Sequence, residues 1–282
     1  MCKKTRIWLM VGACLVILGL ALFAFAMRAY RWDFTNLSTV KFETVTHTVF
    51  DAFRNISVNT DTADITFLPT QDGSCQVVCY EAENVRYTVA VRDGVLTVQQ
   101  IDEKQWYDYM GITVETPSIT VYLPEGAYGD LMVKDHTGDV EISQDLGFES
   151  LTISVTTGHV LVSNGAYSGD VNIRVSTGKT MLENVRCKNL ISTGDTGDVS
   201  AENVIAEKEI SICRSTGDVR FDGCDASQIF VETDTGDITG TLLSEKVFLA
   251  ETDTGEVQVP KTTAGGKCEV RTDTGDIRLE IA

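Results

Sequence analysis

Acidic side chains recur at two fixed positions around a Thr-Gly pair that repeats through the second half of the sequence. One group lies two residues before the glycine and the other directly follows it: Asp195, Asp234, Asp253 and Asp273, then Asp198, Asp237, Glu256 and Asp276. If successive repeats stack, these carboxylates form columns with about 5 Å between neighbours. Carboxylates that close repel one another unless water, backbone donors or a cation lies between them.

Two kinds of chemistry fit such columns. Asp and Thr side chains beside a tight turn can hydrogen-bond its backbone, and a row of carboxylate oxygens suits Ca²⁺, which takes about six to eight oxygen ligands. The Gly-rich nonapeptide of calcium-binding β-rolls is absent from the sequence. We therefore predict a structural ladder of turn caps, with Ca²⁺ as the alternative; no metal ligand and no other cofactor is assigned.

Other candidates for chemistry are few. His136 and His159 fall on neighbouring turns and could share a metal, but two imidazoles without a Cys or acid signature are typical of surface residues. Paired carboxylates also serve in glycoside hydrolysis. Here the repeat itself brings the acids together, so their proximity needs no active site. We predict no catalytic residue, and a glycan-cleaving β-helix enzyme is the least favoured interpretation.

The elements that position these acids follow from the repeat. Its glycines are 19 or 20 residues apart, and each follows a threonine: Gly138, Gly158, Gly178, Gly197, Gly217, Gly236, Gly255 and Gly275. Apolar residues recur seven and five residues before the glycine and two and four residues after it. This period of two on both sides of a glycine predicts two short strands joined by a tight corner.

The architecture follows from the need to bury those strands. Two short strands cannot bury their apolar faces alone, so successive units must stack. We predict an all-β fold, a β-solenoid of two-strand coils over residues 131–282, with antiparallel hairpins in a meander or barrel as the alternative. We favour the solenoid because like residues recur at like phase over one unit. The last coil, which ends at Ile281 and Ala282 without an evident cap, predicts an open edge prone to self-association.

The preceding region departs from the period. Residues 28–49 are predicted as a tether with a first strand, and residues 50–130 as a degenerate first coil, with Ala63 in place of glycine, plus a capping insert. A β-hairpin is predicted around Asp93 and Gly94. The insert carries three aromatic residues, Trp106, Tyr107 and Tyr109, predicted to cover the solenoid end, with a ligand-stacking lip as the alternative.

The N-terminal segment is apolar. The run 7–27 is about 31 Å long as a helix and contains no charged residue, so we predict one transmembrane helix after a cytoplasmic tail of residues 1–6. The basic residues of that tail favour a single-pass protein of the cell membrane with its C-terminal domain extracytoplasmic. A cleaved signal peptide ending near Ala26 is the alternative.

Net charge and cysteine positions limit the partners. The formal net charge is −18, which excludes nucleic acid as a partner and permits a cationic one. Six cysteines follow the apolar segment: Cys75, Cys79, Cys187, Cys213, Cys224 and Cys268. They share no column and form no redox or zinc motif. The sequence leaves the pairing of these cysteines in disulfides undecided, except that Cys75 and Cys79, if in one strand, are too far apart to bond to each other. Cys268 is predicted to be a buried thiol.

A family resemblance rests on four stretches of sequence. The unit Asn59–Ile65, the segment Trp106–Tyr109, the strand Thr120–Pro124 and the Thr-Gly-Asp ladder together resemble a bacterial β-strand-repeat domain of unknown function that is named as an adhesin. The resemblance runs from about Phe50 to Ala282. It implies a membrane-anchored surface protein of a Gram-positive bacterium, in some cases in settings of cell-envelope stress, and it supplies no catalytic residues.

Together these observations predict a non-catalytic cell-surface binding protein, an adhesin displayed on a membrane anchor, whose ligand is a glycan, cell-wall component or protein. The alternative is an accessory component of cell-envelope stress sensing. Because a tail of six residues is too short for a signalling domain, that alternative requires a membrane partner.

Overall fold

The computed structural model describes residues 3–29, 40–70, 73–102, 115–143 and 146–282. The chain divides into two units, one that contains the N-terminal helix and one formed by Phe42–Glu103 and Pro117–Ala282. The aromatic residues Trp106, Tyr107 and Tyr109 lie outside the described residues.

The helix, α1, runs from Lys3 to Ala29 and includes the whole segment for which the sequence predicts a membrane span. Its many Leu, Ala and Met residues favour helix, and Arg28 in the last turn lies where a cation interacts favourably with the helix dipole. Among the described residues, no helix meets the length and apolarity needed to cross a membrane.

All other regular structure in the described residues is strand. The strands are β1 (Phe42–Val49), β2 (Asn55–Asn59), β3 (Asp64–Thr70), β4 (Cys75–Ala82), β5 (Val85–Arg92), β6 (Val95–Asp102), β7 (Ser118–Pro124), β8 (Ala127–Thr137), β9 (Val140–Ile142), β10 (Gly147–Thr157), β11 (Val160–Ser163), β12 (Asp170–Thr177), β13 (Thr180–Glu183), β14 (Arg186–Thr196), β15 (Val199–Glu202), β16 (Ile205–Thr216), β17 (Val219–Thr235), β18 (Ile238–Leu242), β19 (Lys246–Thr254), β20 (Val257–Gln258), β21 (Gly266–Thr274) and β22 (Ile277–Ile281).

The strands form two ladders that share one core. The first ladder runs β5-β6-β2-β8-β10-β12-β14-β16-β17-β21-β19, and the second runs β1-β4-β7-β3-β9-β11-β13-β15-β17-β18-β22-β20. The long strand β17 belongs to both ladders, pairing with β15 before its bulge and with β16 after it. Successive coils pair in parallel, which an antiparallel meander cannot do. The all-β, solenoid-like prediction is confirmed.

The corner glycine is required by backbone shape and by space. Gly178 has a φ of +140°, and a Cβ atom there would lie 1.8 Å from the carbonyl oxygen of Gly158 in the preceding coil. Every other corner glycine of the repeat likewise has a positive φ and a carbonyl oxygen about 2 Å from its Cβ position. Glycine is therefore the residue that lets coils approach to strand spacing at this corner.

Alternation along each strand fills the core. In the coils inside the stack, residues two after the corner glycine, such as Val160 and Ile238, are buried, as are residues seven before it, such as Leu151 and Ile210. One continuous cluster of buried apolar residues extends from Ile56 to Leu279. Each fully buried Val, Leu or Ile contributes about 1.5–3 kcal/mol, so the stack and not the single coil is the stable unit.

The order of coils in space differs from their order in the chain at both ends. The first coil, β2–β3, lies between β6–β7 and β8–β9. The last coil, β21–β22, lies between β17–β18 and β19–β20. The expectation that Ile281 and Ala282 end an open coil is wrong. The segment 243–245 connects β18 to β19 across a gap one strand wide. The coil β21–β22, which comes later in the chain, occupies that gap.

At the N-terminal end of the solenoid, the last strands of both ladders pair antiparallel. β4 pairs antiparallel with β7 and with β1, and β5 pairs antiparallel with β6. The β5–β6 turn holds Asp93 at φ 51° and Gly94 at φ 75°, the two positive values of a type I′ turn. The predicted hairpin is confirmed.

Candidate functional site

The residue directly after each corner glycine, or after Ala63 in the first coil, belongs to a hydrogen-bonded series that we call the corner ladder. It comprises, in spatial order, Asp64, Asp139, His159, Lys179, Asp198, Asp218, Asp237, Asp276 and Glu256. Asp139 Oδ1 accepts the backbone N–H of His159 at 2.7 Å, and Asp237 Oδ1 accepts that of Asp276 at 2.8 Å. Each acid of the ladder except the last, Glu256, thus bonds to the backbone of the next coil instead of to its own turn.

The ladder includes two residues that are not acids. His159 Nδ1 accepts the backbone N–H of Lys179 at 2.9 Å, so this imidazole takes the place of a carboxylate with its proton on Nε2. Lys179 instead reaches Asp198, with 3.0 Å between Nζ and Oδ2. The hydrogen bond from Lys179 lowers the pKa of the Asp198 carboxyl group. His159 and Lys179 therefore also connect neighbouring coils at this corner, although neither is an acid.

The second acid column lies at the surface. Asp195, Asp234, Asp253 and Asp273 are all exposed. The last three occupy equivalent positions of the neighbouring strands β17, β19 and β21, because Thr274 pairs with both Thr235 and Thr254. Within the described residues, no group of three or more His, Cys, Asp or Glu side chains converges as a metal site. His136 lies 3.2 Å from Asp61, measured from Nδ1 to Oδ1.

A second ladder, of asparagines, was not predicted from the sequence. Asn164, Asn184 and Asn203 have φ values of 53°, 53° and 50°, and Gly223 continues the column at 62°. Asn184 Nδ2 donates to Asn164 Oδ1 at 2.9 Å, and Asn203 Nδ2 to Asn184 Oδ1 at 2.8 Å. Each residue lies six after a corner glycine, so the same period carries the signal. Asn tolerates positive φ, which explains why it occupies this second corner.

A buried carboxyl group lies near the N-terminal end of the core. Asp135 is 2% exposed, accepts the hydroxyl of Thr60 at Oδ1, and receives the backbone N–H of His136. Its Oδ2 has no hydrogen-bond partner among the described residues. Burial raises the pKa of this carboxyl group from 3.8 to about 6, against the lowering effect of its hydrogen bonds.

A buried guanidinium lies in the middle of the stack. Arg214 donates to the hydroxyls of Thr180 at 3.1 Å and Ser192 at 2.9 Å, both fully buried at positions where other coils have Val or Ile. A Cβ atom on Gly194 would lie 2.8 Å from its Nη1. Burial lowers the pKa of Arg214 to about 10. Three small residues therefore accommodate one long side chain, which is a packing role.

The cysteines of the described residues are free thiols. Cys75, Cys79 and Cys268 are buried, and burial raises the thiol pKa to about 11 for Cys75 and about 12 for Cys79 and Cys268. The prediction for Cys268 is confirmed. A raised pKa removes the thiolate that metal binding and disulfide exchange require.

The other end of the solenoid is uncovered. Among the strands of the described residues, β19 pairs only with β21, and β20 only with β22. We call these two strands the open end. Val257 in β20 is 45% exposed, whereas its counterparts in the other coils are at most 1% exposed: Val140, Val160, Thr180, Val199, Val219, Ile238 and Ile277. The apolar core is therefore accessible at the open end.

Comparison with known proteins gives a family and a fold. The sequence model of a family described as Toastrack DUF4097 matches residues 53–282. A candidate lipid-binding protein from Parabacteroides distasonis is similar in structure, with a TM-score of 0.54 at 13% identity over 86% of this chain and 98% of that one. A candidate adhesin from the same species has a TM-score of 0.47 at 10% identity, over 85% and 98% of the two chains.

A further candidate adhesin, from Bacteroides fragilis, has a TM-score of 0.45 at 15% identity, over 85% of this chain and 97% of that one. A search of curated proteins finds none that matches the sequence. At these identities, the likeness to solved structures concerns the fold.

Proposed function

The chain belongs to the Toastrack DUF4097 family, and from this premise we propose that it is a non-catalytic binding protein displayed on the cell surface. The observation that carries the proposal is the fixed register of the stack. Residues at equivalent positions of successive coils lie side by side, as Thr157, Thr177 and Thr196 do. A surface of aligned side chains on a continuous core is a rigid platform for a ligand.

The acids support binding over catalysis. The carboxylates of the corner ladder accept backbone N–H groups of neighbouring coils, which gives them a structural role. The exposed acids repeat in a column and are not set as one acid and one base in a cleft. Glycoside hydrolysis by paired carboxyl groups requires one group that protonates the leaving oxygen and a second group across the scissile bond that acts as base or nucleophile. A column of one repeated position does not provide that arrangement.

The proposal includes a membrane anchor at the N-terminus. Residues 7–27 carry no charge. Four consecutive residues of α1, from Leu15 to Leu18, are apolar and more than half exposed, so the helix presents apolar side chains on all sides. Such a helix requires a protein or lipid environment. We expect the intact protein in the membrane fraction after alkaline carbonate washing and the domain from Phe42 onward to be cleaved by protease added outside the cell.

The binding function is tested with the intact chain in detergent micelles, immobilised and exposed in parallel to an envelope extract and to purified surface glycans. We expect saturable capture from one pool with no change in the captured molecule. Release of shortened saccharides would support the glycan-cleaving alternative instead. Capture of an endogenous membrane protein alone would favour envelope-stress sensing, and capture from neither pool would contradict the proposed function.

A further inference from the structure

The open end has the hydrogen-bonding pattern of an unfinished stack. In the repeat, the N–H of each corner glycine donates to a carbonyl of the following coil, as Gly158 does to Thr177 at 2.9 Å. The N–H two residues later does the same, as from Val160 to Lys179 at 2.9 Å. In the part of the chain that the structure describes, no coil follows Gly255 and Val257. The carboxylate of Glu256 likewise occupies the ladder position that accepts an N–H from the next coil.

The edge of β19 offers a longer template. The carbonyl of Thr254 accepts the N–H of Gly275 in β21. Because hydrogen-bonding direction alternates along a strand, residues of opposite parity, such as Glu251, direct their backbone groups to the free edge. Phe248 and Ala250 are half-buried and pack on the core from this last strand. An added strand would place its own apolar side chains over them and over Val257.

The charges beside this edge indicate which side chains an added strand should carry. Arg271 in β21 lies between Glu232 in β17 and Glu251 in β19, so the column alternates acid, base, acid up to the open end. Two residues further along, the neighbouring strands β17, β21 and β19 carry three acids side by side, Asp234, Asp273 and Asp253. Opposite charges on neighbouring strands stabilise pairing and like charges oppose it. An added strand would therefore pair best along β19 if it carried basic side chains at both of these positions.

We propose that the open end binds an extended segment of a protein partner as one more parallel strand along β19, with apolar side chains facing the core and basic side chains facing Glu251 and Asp253. This is strand addition to an exposed sheet edge. A second copy of this chain fits less well, because its own edge carries the same acids and its net charge is also −18. The inference rests on the proposed binding function and names the class of partner.

Pro260 sets a limit on the added strand. It lies two residues after β20, which is only two residues long. Proline removes a backbone donor and shortens an edge. The nine-residue β19 carries no proline, so pairing extends along β19 and over the corner at Gly255.

The test uses the intact chain in detergent micelles and three fluorescent nine-residue peptides. One alternates Lys and Val, one has the same composition with Lys and Val in separate blocks, and one alternates Glu and Val. We expect saturable binding of the alternating Lys peptide by fluorescence anisotropy and at least tenfold weaker binding of the other two. Equal binding of the alternating and block Lys peptides would overturn the proposal, since it would mean attraction by charge alone.

Two double variants locate the site. Glu251→Lys with Asp253→Lys reverses the charge at the edge, and we expect about tenfold weaker binding of the Lys peptide and stronger binding of the Glu peptide. Glu232→Lys with Asp234→Lys makes the same change at equivalent positions of β17, inside the stack. This matched control should retain binding of the Lys peptide. Equal losses in both double variants would overturn the proposal.

Two further measurements distinguish strand addition by a partner from self-association of this chain. Glu251→Pro removes a backbone donor at the free edge and should abolish peptide binding, while thermal unfolding shows whether the fold is retained. Sedimentation velocity of the unmodified chain should show no dimer through the open end; a dimer lost in Glu251→Pro would mean that a second copy occupies the edge. If envelope capture persists in Glu251→Pro, the proposed function stands and this inference fails.

Discussion

The buried carboxyl group of Asp135 predicts a stability profile that depends on pH. Its pKa is raised from 3.8 to about 6, chiefly because the side chain is buried. A raised pKa means that the folded state holds the proton more tightly than the unfolded state does. The stability associated with this proton is therefore present below about pH 4 and is lost as the pH rises through about 6.

The size of the effect follows from the two pKa values. A rise from 3.8 to about 6 corresponds to about 3 kcal/mol between the protonated and the ionised forms. Asp135→Asn keeps an oxygen that accepts the Thr60 hydroxyl and removes the buried charge. We expect the variant to be more stable than the natural protein by about 1–3 kcal/mol at pH 7 and equal to it within about 1 kcal/mol at pH 4.

The measurement is the free energy of unfolding in urea at intervals from pH 4 to pH 8, for both proteins. Their difference is the quantity of interest, because other carboxyl groups, such as Asp198 with its lowered pKa, contribute the opposite slope to each profile alone. Asp130→Asn, at an exposed position of the same strand, is the control for a carboxyl-to-amide change made outside the core. A difference for Asp135→Asn that stays constant from pH 4 to pH 8 would refute the reasoning.

Three further predictions concern the corners and the thiols. Gly178→Ala should cost at least about 3 kcal/mol in urea unfolding, because the new Cβ atom would meet a backbone oxygen at 1.8 Å, whereas Gly147→Ala, with 3.5 Å to its nearest neighbour, should cost under about 1 kcal/mol. Asn184→Ala should lower stability by about 1–2 kcal/mol and Asn184→Gly by less, because glycine keeps the positive φ; equal losses would mean that the side-chain ladder dominates. Iodoacetamide at pH 8 should modify the half-buried Cys213 before the buried Cys268, as followed by mass spectrometry, and the reverse order would contradict the assigned burial.

The period of the sequence was sufficient to predict the ladders and their register. Thr157, Thr177 and Thr196 share a phase in the repeat and pair directly in the structure. A repeat predicts register because a slip of one residue would move a whole strand's apolar side chains from the core to solvent. The β5–β6 hairpin was predictable for a local reason, since Asp-Gly between alternating strands selects a type I′ turn.

The order of the terminal coils was beyond prediction from the same pattern. The three C-terminal corners have nearly identical sequences, Thr-Asp-Thr-Gly at 233–236, 252–255 and 272–275, so each can take the place of another in the stack. What decides the order is how far the connections reach, and a periodic pattern contains no information about connections. The burial of Asp135 was not predictable from residue type, because an acid beside a corner is usually exposed, whereas this one lies in a column where the next coils have Val155 and Val175.

The order of coils also bears on why an open end persists at all. An ordinary solenoid ends in a coil with one neighbour and one free chain end, which frays. Here β21–β22, nearest the C-terminus, has a neighbour on each side, and the outermost coil β19–β20 is held by the chain at both of its ends. Opening of β21–β22 would therefore break its pairing with two neighbouring coils instead of one. An edge strand fixed in this way stays extended and in register without a cap, which is the condition that strand addition requires.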